Sequence, residues 1–205
     1  INADKTVTAN FVVIHTLTVN KDGNGSGTVF SDPLGISCGS SCSADFDDGR
    51  EVELTAIAST GSTFTGWGGA CSGTGTCSVT MNAAKTVTAP FPLNQYPLAG
   101  SKVGVGTVSS VPAGISCGSS CSALFDFGTT VTLTAVEANG YSFTGWSGDD
   151  GAEVINNQIL INEDKSVTAN FETGIIITAV DDSYEMAKGS STLYVPAAEG
   201  VLIND

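Results

Sequence analysis

The chain has 205 residues, 41% of them hydrophobic and 7% aromatic, with 21 acidic against 7 basic residues and a net charge of −14. An anionic surface of this kind repels phosphate backbones, which argues against a nucleic-acid partner. No apolar run approaches the roughly 20 residues that span a bilayer, and no signal-peptide pattern opens the chain.

The first recognisable element is Lys5-Thr-Val-Thr-Ala-Asn-Phe11. Val7, Ala9 and Phe11 alternate with Thr6, Thr8 and Asn10, the period of a strand with one buried face. The heptad returns as Lys85-Thr-Val-Thr-Ala-Pro-Phe91 and as Lys165-Ser-Val-Thr-Ala-Asn-Phe171, with the lysines evenly spaced. Residues 1–11 therefore read as the final strand of a preceding repeat, and the sequence as a piece of a larger polypeptide; if that polypeptide is exported, its targeting signal lies upstream.

A first full copy runs over residues 16–91. Gly23 to Gly27 and Gly61 punctuate it as turns. Between them lies Gly35-Ile-Ser-Cys-Gly-Ser-Ser-Cys-Ser-Ala44, where any helix would be a single turn near Ser40–Asp45. Val52, Leu54 and Ala56 then alternate with Glu51, Glu53 and Thr55. Phe64-Thr-Gly-Trp67 follows, then Cys71 and Cys77, and Pro90 in the closing heptad. Proline cannot donate to a ladder, so Pro90 predicts a sheet edge. After a short link, Asn94–Pro97, a second copy occupies residues 95–171 and repeats the cysteine segment at Cys117 and Cys121, a turn glycine at Gly140, and the aromatic segment at Phe143 and Trp146. Residues 175–205 share nothing with the copies and read as the beginning of a different β domain.

The fold class expected is all-β: tandem small antiparallel modules, β-grasp-like or sandwich-like, stapled by disulfides. Six cysteines in a Gly/Ser-rich chain point to an oxidising compartment. The four in copy one, Cys38, Cys42, Cys71 and Cys77, allow three connectivities. Copy two keeps Cys117 and Cys121 but has no cysteines matching Cys71 and Cys77. Pairing across the two sets would orphan two thiols there, so local pairs are expected: Cys38–Cys42, Cys71–Cys77 and Cys117–Cys121. The same shortage argues against a four-cysteine zinc site, and the spacing is not that of a Cys-x-x-Cys redox motif.

Phe64, Trp67, Phe143 and Trp146 recur as pairs and are expected to anchor each module's core, with sugar stacking by exposed tryptophans as the rival. Asp149, Asp150 and Glu153 stand where copy two lost its second cysteine pair, and an oxygen-rich loop of this kind can hold calcium. Asp45, Asp47 and Asp48 form a weaker cluster, and Asp181, Asp182 and Asp205 are further candidates in the tail. With one histidine, His15, expected in a linker strand, and one arginine, the chain offers little for acid–base or nucleophilic catalysis.

Phe64-x-Gly-Trp67-x-Gly-x-Cys71, Cys77-x-Val-x-Met81 and Lys85-x-Val-x-Ala-x-Phe91 together resemble the divergent InlB B-repeat family of bacterial surface and secreted proteins. The resemblance implies small β modules arrayed outside the cell, with no shared catalytic site. The tail, Ala179-x-Asp-Asp-Ser-Tyr184 and Gly200-Val-Leu-x-Asn-Asp205, resembles the start of a cadherin-like or bacterial Ig-like domain. The expected role is a structural or adhesive segment at the cell surface: stalk, spacer or filament subunit. Its expected partners are neighbouring copies of itself, other domains of the same polypeptide, or surface glycans. A carbohydrate-binding module attached to a secreted hydrolase is the alternative.

Overall fold

The computed structural model describes residues 6–39, 41–118, 121–174, 179–180 and 183–184. The chain divides into two compact units, Ile1–Gln95 with Asp126–Gly128, and Tyr96–Phe125 with Thr129–Asp205.

In the first module the strands are β1 (Ile14–Asp22), β2 (Gly27–Asp32), β3 (Ser43–Asp47), β4 (Arg50–Ala58), β5 (Gly68–Gly69), β6 (Cys77–Met81) and β7 (Lys85–Pro90). They form two sheets, in the orders β3-β1-β7-β5 and β2-β4-β6. Both sheets turn their apolar faces into one core. Leu17, Val19 and Val87 enter it from one layer, and Val29, Val52, Leu54, Val79 and Met81 from the other. Two packed layers with a shared core make a sandwich. The alternation read in β4 is the mechanism: Val52 and Leu54 are fully buried while Glu51 and Glu53 face solvent.

The second module repeats this plan with β8 (Gln95–Val103), β9 (Gly106–Val111), β10 (Ser122–Asp126), β11 (Thr130–Glu137), β12 (Tyr141–Ser147), β13 (Gln158–Leu160) and β14 (Lys165–Thr173). Its sheets run β10-β8-β14-β12 and β13-β11-β9, enclosing Leu98, Val108, Val131, Leu133, Ile159, Ile161 and Val167. A single 3-10 turn, Gly151–Glu153, lies between β12 and β13.

The architecture is all-β, and the strands within each sheet are antiparallel with one exception per module. The first and last strands of a module are parallel neighbours, β1 beside β7 and β8 beside β14. Four local expectations change. The site suggested for a helical turn falls partly on β3, which begins at Ser43. Pro90 is not on an edge strand, since β7 lies between β1 and β5. What the proline marks is the end of a ladder: β5 pairs only with Val87 and Thr88, leaving Pro90 beyond it on that flank. In the second module β12 extends the corresponding ladder to Asn170 and beyond. Gly27 is not a turn residue but opens β2, where a Cβ would overlap the Phe91 ring, and Gly106 stands the same way under Phe171. Finally, His15 belongs to β1 of the first module, not to a link.

Residues 6–13 form no strand, and Val7 and Phe11 are 91% and 94% exposed. Their counterparts Val87, Phe91, Val167 and Phe171 are all buried, because those heptads lie between two paired strands. In the tail, β15 (Ala179–Val180) pairs antiparallel with β16 (Ser183–Tyr184). Apart from these four residues, the expectations for 175–205, including Asp181, Asp182 and Asp205, lie outside the described residues.

Candidate functional site

Each module concentrates its unusual chemistry in the loop that follows the tryptophan and in the strand that closes the fold. In the first module Trp67 is 6% exposed. Phe64 meets it edge-on, with ring centroids 4.9 Å apart, and meets Phe91 at 5.5 Å. The indole N–H donates to the Gly75 carbonyl at 2.6 Å, which ties the ring to the Cys71–Cys77 loop. The second module rebuilds this triad from Phe143, Trp146 and Phe171, with centroids 5.1 and 5.6 Å apart. There the half-buried Trp146 donates to the Asn157 side-chain carbonyl at 2.9 Å. Tyr and Trp polar tips find partners when buried, and both indoles here do so within their own module. Trp67 is too enclosed to stack on a sugar.

Cys38 is bonded to Cys42, Cys71 to Cys77 and Cys117 to Cys121. Cys38 and Cys117 are nearly fully buried. Each five-residue ring hangs between the two sheets, because the Cys38 N–H donates to Val29 on β2 while the Cys42 carbonyl accepts from Val19 on β1, both at 2.8 Å. In the second module Cys117 N–H donates to Val108 at 2.8 Å and Cys121 accepts from Gly100.

Counting forward from the two tryptophans, Asp150 stands where copy one has Cys71. Counting back from the two heptad lysines, Asn157 stands where it has Cys77, and Glu163 where it has Ala83. Two of these replacements, Asp150 and Glu163, converge on Lys165, whose side chain is wholly enclosed, while Asn157 is the acceptor for the Trp146 indole. Its ammonium lies 2.8 Å from Glu153, 3.0 Å from Glu163 and 3.4 Å from Asp150. Asp150 also accepts the Ser166 backbone N–H at 2.6 Å. The hydrogen bond that the Lys165 ammonium donates to Glu153 holds its pKa well above the ordinary lysine range; Glu163 and Asp150 add to this and burial opposes it. Of the three residues expected to bind calcium, Asp150 and Glu153 thus face an internal cation, and Asp149 is not among its partners. Among the described residues no group of three or more His, Cys, Asp or Glu is placed to hold a metal ion. The signal that finds Lys165 in the sequence is the simultaneous loss of two cysteines and gain of Asp150 and Glu163.

The other acidic cluster is dispersed along the β3 edge: Asp45 accepts from the Thr16 hydroxyl at 2.6 Å, and Asp48 pairs with His15 at 2.8 Å. Charges of this kind on an edge strand oppose pairing with another chain. The exposed β12 edge is guarded differently. Glu137 accepts the Phe143 N–H at 2.9 Å, and a bulge shifts the register between Phe143 and Gly145.

What the fold and these sites define is a class: small two-sheet β modules in tandem, closed by local staples and organised around a repeated aromatic triad. Residues 15–95 and 98–175 each match the divergent InlB B-repeat domain. The chain belongs to that family. No curated protein sequence matches it significantly. Among solved structures it is similar to the TIE protein of Bacillus anthracis (13% identity, TM-score 0.41), covering 79% of this chain and 34% of that one. It is also similar to the major pilin protein of a Streptococcus pyogenes serotype (10%, TM-score 0.35), with 78% and 97% covered. A minor pilin of Streptococcus agalactiae is a third (12%, TM-score 0.27), with 82% and 99% covered. The chain spans about a third of the length of the first of these. No helix among the described residues is long and apolar enough to cross a membrane.

Proposed function

We propose that this chain is a non-enzymatic structural or adhesive repeat segment of a larger exported bacterial surface protein, serving as stalk, spacer or filament subunit. The observation that carries the reading is what the two copies keep. Both retain the sandwich, the aromatic triad and the buried cysteine ring, while the acidic clusters that differ between them are absorbed by edge strands or by Lys165. A repeat selected for binding or catalysis would keep a polar site; this one keeps a core and its staples. Disulfide staples in turn suit an oxidising, extracellular setting.

In this reading residues 1–11 serve as the closing strand of a preceding module, since the same heptad closes both described modules. Residues 175–205 open a cadherin-like or Ig-like domain, and the partners are neighbouring domains and copies of the same protein. The test is protease shaving of intact cells that make the full-length protein. Peptides from residues 14–173 should be released without lysis. Their appearance only after lysis would reject the surface role.

A further inference from the structure

We infer that each module is a mechanical clamp, because tension passing through the chain loads the ladder between its first and last strands in shear. Polypeptide enters the first module at the start of β1 and leaves it at the end of β7. These strands are parallel neighbours, with residues Leu17 to Asp22 in register with Lys85 to Pro90. The entry and exit points therefore lie at opposite ends of one ladder, and a pull along the chain slides the strands past each other. Every hydrogen bond of the ladder then resists together. In antiparallel neighbours pulled from a common end, the bonds would fail one at a time.

Further features suit this loading. Both strands are interior, with β3 flanking β1 and β5 flanking β7. Leu17, Val87 and Ala89 are fully buried beside the ladder, so water has poor access to compete for its bonds. The Phe91 N–H donates to the Asp22 carbonyl at 2.7 Å and continues the pairing past the strand end. No disulfide joins the clamped strands, so the ladder and not a covalent bond takes the load. The second module has the same arrangement, with residues Leu98 to Val103 in register with Lys165 to Asn170. There the Lys165 ion cluster ties the loaded strand to the loop before β13.

This inference deepens the spacer reading by naming the force the spacer withstands, and it depends on that reading only for its biological use. The experiment is single-molecule extension of the full oxidised chain in two geometries. Held by its termini, the chain should open in two steps of about 200 Å each, the extended length of one module less its disulfide rings. In the second geometry the handles are at Val12 and Ala84, both exposed and both at the starting end of the β1–β7 pair. There the same ladder should unzip at a force several-fold lower. Equal forces in the two geometries would overturn the clamp, as would end-to-end extension without resolved steps. Protease shaving decides the surface reading separately, so failure of one leaves the other measurable.

Discussion

At Lys165 three carboxylates offset the cost of enclosing an ammonium completely. Two of them, Glu153 and Glu163, remain more than half exposed and rehydrate easily, so the cluster is worth less than a fully buried pair. Lys165→Met should therefore destabilise the second module by about 1–3 kcal/mol, read as a lower urea midpoint. Because the folded-state pKa of Lys165 is raised, its contribution is fully present below the ordinary lysine value of about 10.4 and is lost only above it. A scan from pH 7 to about 10 should thus show no loss attributable to this residue. Trp67 and Trp146 occupy equivalent places with unequal burial. Trp67→Ala should cost about 3–5 kcal/mol and Trp146→Ala distinctly less, and neither tryptophan's fluorescence should shift on adding polysaccharide.

The two copies diverge most around Phe-Thr-Gly-Trp: β5 has two residues just after the segment, whereas β12 has seven and includes it. Pro90 ends the short ladder, whereas Asn170 supports the long one by donating from its side chain to the Gly145 carbonyl at 3.2 Å. Proline at that position thus reports local ladder length, which a rule about edges alone does not capture. Gly27 and Gly106 were hidden for a related reason: a glycine at the start of a strand looks like a turn until the aromatic lying over it is known. Gly27→Ala and Gly106→Ala should each destabilise their own module by about 1–3 kcal/mol by thermal unfolding, since the ring or the strand must shift. Alternation did locate the core of β4 and of the closing strands, because their period of two maps directly onto a two-sheet interior.

For the whole molecule the repeat made the module count and the aromatic anchors legible, and comparison of copies narrowed the cysteine connectivity. The parallel pairing of first and last strands was not legible, since strand periodicity carries no direction. The fate of the acidic loop was missed because it depends on Lys165, which stands outside that loop in the closing heptad. The staples also make a prediction at this scale. Reduction removes two rings from the first module and one from the second, at roughly 2 kcal/mol per ring. With single-tryptophan variants as reporters, the first module's midpoint should fall further on reduction than the second's. The proposed surface role rests above all on a disulfide-stapled repeat suited to an oxidising exterior. Its most direct test is alkylation of the protein recovered unreduced from its native cells, followed by mass spectrometry of the cysteine peptides. Six unmodified cysteines are expected, joined as Cys38–Cys42, Cys71–Cys77 and Cys117–Cys121; alkylated free thiols, or bridges between those pairs, would contradict the surface role.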